Sequence, residues 1–147
     1  MSLRDRLTNE MKEAMKSKDD LKLSTIRLVR SMVRNREIDL KRDLDDQGIT
    51  EVLSTLAKQR RESIRLFKEA GRTDLVEKEE KELAVLLDFL PRQLSREELA
   101  GLVVQAIQEC GAQGCKDMCN VMKTLASRVS GRADGKLVSE VVRENLS

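Results

Sequence analysis

"LPRQLSREELAGLVVQAIQEC", residues 90 to 110, decides how this chain folds. Pro91, the only proline, disfavours the α region at Leu90 and ends any helix that arrives there. Just beyond it Ser95 and Glu98 stand in capping-box spacing, where hydroxyl and carboxylate each satisfy a free N–H at a helix start. The stripe that follows, Leu99, Leu102, Val103, Ala106, Ile107 and Cys110, holds the helical period and is the cleanest in the chain. A stop, a joint and a start in so short a span mark a boundary. They separate a longer helical lobe, 1–90, from a small three-helix lobe, 91–147.

The same signals extend outward in both directions. A first helix, about 2–18, carries Leu3, Leu7, Met11 and Met15. A second, about 20–42, gathers Leu21, Leu28, Val29, Met32, Val33 and Leu40 into one apolar sector. "DLDDQGIT" is acidic, contains Gly48 and ends in Thr50, so it reads as an exposed connection with Thr50 as N-cap of a third helix, about 51–70. Asp74 and Glu77 give capping-box spacing to a fourth, which runs to about Phe89. Downstream, "GAQG" closes the fifth helix. A sixth, about 116–129, buries Met118, Val121, Met122 and Leu125. After a GRADG turn, Asp134 caps a seventh carrying Leu137, Val138, Val141, Val142 and Leu146. The fold class is all-α in two lobes.

Composition agrees and removes whole classes of chemistry. Charged residues are 37% of the 147 and aromatics 1%, so Leu, Val, Ile and Met must build the core. With no His, Trp or Tyr, there is no imidazole base, no common zinc ligand and hardly a stacking platform for bases. Cys110, Cys115 and Cys119 are odd in number and do not match a zinc spacing. Cys110 reads as a core residue, and Cys115 as a thiol near a helix start without a partner base. No nucleophile–base pair, metal cluster or cofactor loop can be assembled, so no catalytic residue, metal or cofactor is expected. No apolar run approaches the roughly 20 residues that span a bilayer. The first residues lack a signal-peptide apolar region, which gives the cytoplasm as the expected compartment.

What the sequence does offer is local positive charge on a net charge of only +2. On the second helix Arg27, Arg30, Arg34 and Lys41 fall within about 60° of one another, placed opposite the Val29–Leu40 face. Such a stripe can neutralise several phosphates, or can be a solvated helix face. Arg60 falls instead on the apolar sector of Leu53, Leu56, Ile64 and Phe67, so it needs a carboxylate from the acidic fourth helix, Glu77, Glu79, Glu80 or Glu82. A third group, Lys116, Lys123, Arg128, Arg132 and Lys136, surrounds two helix starts in the small lobe, where free N–H groups attract anions. "GRADGK" is no nucleotide loop: Gly131 and Gly135 are too close, and Leu137 follows Lys136 where a Ser or Thr is required.

"LPRQLSREEL", "KDMCNVMKTL" and "GRADGKLVSEVV", in this order, resemble the YqeY family. "DRLTNEMKEAMKSKDDLKLSTIRLVRSMVRNREID" and "KQRRESIRLFKEAGRTDLVEKEEKEL" resemble its N-terminal half, so the likeness covers nearly the whole chain. The resemblance implies an all-α protein of two lobes, similar to the C-terminal helical region of GatB. That subunit belongs to the glutamine-dependent amidotransferase, a carbon–nitrogen ligase with a glutamine amide donor that corrects mischarged Glu-tRNA(Gln) or Asp-tRNA(Asn), and this region of it recognises tRNA. Transamidation and ATP use reside in another domain, without a counterpart here. The family commonly has glycines where this chain has Cys119 and Lys123, so Lys123 should point outward.

Two functions follow as expectations. One is a non-catalytic tRNA-binding or tRNA-associated module, with phosphate contacts from Lys116, Lys123, Arg128, Arg132 and Lys136 and backbone approach at Gly131 and Gly135. The basic stripe of the second helix is its secondary surface. The other is a protein–protein adaptor that docks helix-on-helix on amidotransferase or synthetase subunits. They are told apart by whether internal carboxylates occupy the arginines of the second helix.

Overall fold

A computed structural model describes residues 2–146, except the side chain of Cys115. These residues form seven α-helices and one short 3-10 turn, with no strand among them. Their contacts divide into two compact units, the first ending at Pro91 and the second beginning at Arg92.

The N-terminal unit holds α1 (Leu3–Ser17), α2 (Asp20–Leu40), α3 (Asp46–Glu69) and α4 (Thr73–Phe89). Ser2 and Asp19 cap the first two, their side chains accepting from Asp5 N and Lys22 N. Lys18 and Lys41 end those helices in the left-handed region, at φ 58° and 55°. The core is built from Leu7, Ile26, Val29, Ile49, Leu53 and Leu86, all nearly inaccessible, with α3 and α4 packed most extensively. Each such side chain removed from water contributes about 1.5–3 kcal/mol before the entropy of ordering it is charged.

Three expectations are corrected in this unit. Helix α3 begins at Asp46, not after Thr50: Asp45 is its cap, accepting from Gly48 N at 2.9 Å, and the Thr50 hydroxyl donates to Asp46 C=O one turn up. The acidic run is therefore a helix start, stabilised by the dipole, and not a linker. Gly48 belongs there because an added Cβ would lie 2.9 Å from Leu44 Cδ2, and Leu44 is buried. The box at Asp74 and Glu77 does not form either. Arg72 holds the N-cap position without a side-chain bond, and Asp74 pairs with it at 3.2 Å instead.

The buried sector of α2 is also rotated from the expected one. Ile26, Val29 and Val33 are buried with Thr25, whose hydroxyl donates to Leu21 C=O, while Leu28 and Leu40 are exposed. The core line runs through Ile26 and Val33. On an ideal helix the mean direction of Thr25, Ile26, Val29 and Val33 lies about 85–145° from the arginines, which therefore stand to one side of the core face rather than directly opposite it.

Arg60 is paired as expected. Its Nε lies 2.8 Å from Glu82 Oε2 and 3.4 Å from Glu79 Oε2, with all three side chains largely covered. These are ion contacts rather than directed hydrogen bonds, since Arg60 Nε and Glu79 Oε2 lack hydrogen-bond geometry.

The C-terminal unit packs α5 (Arg96–Cys110), α6 (Met118–Val129) and α7 (Gly135–Leu146) pairwise, with a 3-10 turn at Cys115–Asp117. The capping box forms in both directions: Glu98 N donates to Ser95 Oγ at 3.1 Å and Ser95 N to Glu98 Oε1 at 3.2 Å. Leu99, Val103, Ala106, Val121, Leu125 and Val142 are fully buried. Cys110 is exposed, against the core reading, because it is the last residue of α5 and borders the left-handed Gly111. The Cys115 thiol lies outside the described residues.

Candidate nucleic-acid interface

The side of α2 that faces α1 forms an open groove of about 640 Å³. Its floor is Leu7, Val33 and Ile49, and its walls carry Arg27, Arg30 and Arg34. Arg4 closes it from α1. Arg30 Nη1 reaches across to Met11 Sδ at 2.8 Å. Arg27 and Arg34 have neither a carboxylate partner nor a hydrogen-bond acceptor among the described residues, and both are exposed. Because the stripe lies to one side of the core line, the three cations converge on a concave surface with a buried apolar floor, where a field is focused rather than dispersed.

Only one carboxylate, Glu37, is among the lining residues. Its Oε2 accepts from Leu44 N at 2.8 Å and from Arg4 Nη2 at 2.5 Å. These bonds, the backbone one foremost, hold the Glu37 carboxyl below the usual carboxylate range. Glu37 is thus committed to Arg4 and to the segment that connects α2 with α3, and it does not reach the other three arginines.

The fourth member of the expected stripe, Lys41, falls away. It is the residue past the end of α2, in the left-handed conformation, and it does not line the groove. Arg4 takes a place that no local pattern could assign, because the residue that marks it, Glu37, is on another helix.

The expected C-terminal cations divide into two sets. Arg128 Nη2 meets Glu109 Oε2 at 2.6 Å, tying α6 to α5, and Arg132 Nη1 lies 3.5 Å from Arg128 C=O at the end of α6. The GRADG turn is likewise in structural use. Leu94 N donates to Arg132 C=O at 2.7 Å, and Gln93 Nε2 to Gly131 C=O at 2.8 Å. Gly131 sits at φ 73°, where a side chain would be strained. By contrast Lys116 and Lys123 are exposed and without a partner among the described residues, so Lys123 does point outward. Lys136 and Gly135 are exposed on the first turn of α7.

Among the described residues no group of three or more His, Cys, Asp or Glu side chains could hold a metal ion. No helix among the described residues is long and apolar enough to cross a membrane.

A family model described as "Yqey-like protein" matches residues 4–146. The chain belongs to the YqeY family. It is similar to the protein named "Altered inheritance of mitochondria protein 41, mitochondrial" from several fungi. The Kluyveromyces lactis relative is 42% identical over 107 residues, 70% of this chain and 57% of its own. That of Lachancea thermotolerans is 41% identical over 85 residues, 57% of this chain and 46% of its own. The Pyrenophora tritici-repentis relative is 32% identical over 143 residues, 95% of this chain and 78% of its own. The chain spans about half the length of the first two.

The cytoplasmic expectation is corrected by these relatives, which are mitochondrial proteins by name. It had rested on the lack of a secretory apolar region. Mitochondrial targeting uses amphipathic, Arg-rich segments instead, so that lack never bore on the organelle.

Proposed function

We propose that this chain is a non-catalytic RNA-binding module whose ligand is tRNA. One observation carries the reading. The arginines Arg27, Arg30 and Arg34 share a groove, and the one carboxylate that lines it among the described residues is already bound by Arg4 and a backbone N–H. Three guanidiniums on a concave surface repel one another, and that cost is relieved when phosphates neutralise them. Internal carboxylates on these arginines would remove the largest patch from this reading; among the described residues Arg27 and Arg34 have no carboxylate partner.

Support for tRNA in particular comes from the resemblance of the family to the tRNA-recognising region of GatB. Lys116 and Lys123 on the C-terminal unit, with Lys136, supply a further set of phosphate contacts on this reading. Arg128 and Arg132 serve chiefly to join α5 to α6 and to finish α6. Recognition is of shape and backbone, since the two phenylalanines are the only aromatics and neither lines the groove. The association with amidation of aminoacyl-tRNA is then one of a shared ligand, with the chemistry performed elsewhere.

Equilibrium binding of the purified protein to total tRNA, from low to physiological salt, tests this. Saturable binding that weakens steeply with salt is expected. A folded protein that binds no tRNA at low salt overturns the reading and directs the search to protein partners.

A further inference from the structure

Arg27, Arg30 and Arg34 are spaced three and four residues apart, which sets a ruler along the groove. At 1.5 Å per residue their Cα atoms rise by about 4.5 and 6 Å, or about 10.5 Å in all. One strand of a nucleic-acid duplex carries a phosphate every ~3.4 Å of axis, so this length covers about three such steps, the reach of roughly four successive phosphates. A lone phosphate or a mononucleotide engages one end of such a line and leaves the rest uncompensated. The groove is also open, with Ser31 exposed beside Arg27 and Arg30 as a neutral donor.

The ends and floor of the groove narrow the ligand further. Glu37 stands one turn beyond Arg34 and, held by Arg4 and Leu44 N, closes that end to anions by its own charge. Leu7, Val33 and Ile49 form a floor without aromatic rings or amide side chains, so bases find neither a stacking partner nor a directed acceptor–donor pair there.

From this length we infer that the α1–α2 groove is a track for roughly four consecutive phosphates of one RNA strand, bound without regard to base. The inference rests on the RNA-binding reading and adds to it the ligand class and the register. Arg27 and Arg30 contribute most, and Arg34 less, because Glu37 stands beside it. Arg4 is a positioning residue that keeps Glu37 turned away from the bound strand.

The test is anisotropy of dye-labelled hexaribonucleotides, oligo-U and oligo-A, against the full chain, with total tRNA titrated in parallel. Variants are R27E, R30E and R34E singly, with R27K, R30K and R34K as controls that keep charge and fold. Equal affinity for both oligomers is expected, with a loss of roughly tenfold for R27E and R30E, a smaller one for R34E, and near-complete retention for each Arg→Lys. AMP should compete poorly and tripolyphosphate less well than the oligomer. If tRNA binds but the Arg→Glu variants bind the oligomers as well as the parent does, the track is wrong and the RNA reading stands. If neither RNA binds, both fall. Oligomer binding that depends on the three arginines, with no binding of tRNA, upholds the track and removes tRNA as the ligand. Tripolyphosphate binding more tightly than the oligomers overturns the strand in favour of a free polyphosphate.

Discussion

Arg4 Nη2 and Glu37 Oε2 lie 2.5 Å apart, joining α1 to α2 at one end of the arginine groove. The same carboxylate accepts from Leu44 N, so one group fixes a helix pair, fastens the connection to α3 and sets the charge at the groove's end. Its negative charge opposes any phosphate that approaches Arg34.

Glu37→Gln keeps an oxygen for Leu44 N and removes the charge. RNA affinity at low salt is expected to rise by about two- to fivefold, the worth of one partly exposed charge, and the gain should vanish at high salt. Parallel titrations of parent and variant at two ionic strengths check this. A loss of affinity would mean that the Arg4 orientation matters more than the charge.

Arg60 separates Glu79 from Glu82, which are neighbours on α4. Arg60→Met leaves two largely covered carboxylates facing each other and is expected to cost about 1–3 kcal/mol in urea unfolding. Replacing both glutamates by Gln in that background should restore most of it, because what remains is an apolar side chain on an apolar sector. Failure of the triple variant to recover would trace the loss to packing of the arginine stem.

Arg92 and the Ser95 backbone N–H together draw the Glu98 carboxyl down to about 2 from an ordinary 4.5. A carboxyl depressed in the folded state stabilises above its unfolded value, and that contribution is lost as pH falls. The capping box therefore weakens between about pH 4.5 and pH 2. Helicity of Glu98→Gln is expected to fall short of the parent at neutral pH and to converge with it through that window. Salt should narrow the gap, since both partners are solvent-facing. An unchanged gap at pH 2 would show that the box works by shape and not by charge.

Leu125 is fully buried among Leu99, Val103 and Val141 in a unit with little core to spare. Leu125→Ala is expected to cost about 2–5 kcal/mol, seen as early loss of helicity on heating. A near-neutral result would require α6 to collapse onto α5.

Much of the fold was legible because local signals bracket the helices. Ser95 with Glu98, Pro91 after Leu90, and Gly111 after Cys110 each act within a turn of where they stand. The start of α3 was misread because an acidic, glycine-bearing run has two local meanings. What decides between them is tertiary: Leu44 and Ile49 are buried, and only a glycine at 48 lets Leu44 lie so close. The rotation of α2 was hidden for the same reason. Leu28 and Leu40 are as apolar in sequence as Ile26, and only packing against α1, α3 and α4 chooses which line is covered.

Of the groove, the three arginines of α2 were visible as a helical period. Their concave setting was not, nor was Arg4, which is tied to its neighbours by a contact across 33 positions. In the C-terminal unit the cations were visible but not their employment. Arg128 and Arg132 are held by Glu109 and by the end of α6, whereas Lys116 and Lys123 are not.

The central claim is that Arg27, Arg30 and Arg34 neutralise RNA phosphates. It is tested most directly by the salt dependence of tRNA binding, measured for the parent and for the R27A/R30A/R34A variant. Each phosphate contact contributes about 0.7 to the slope of log K against log salt for a single strand and about 0.9 for a duplex. The account predicts that the variant's slope is shallower by roughly 2 to 3. Equal slopes for the two proteins would contradict it.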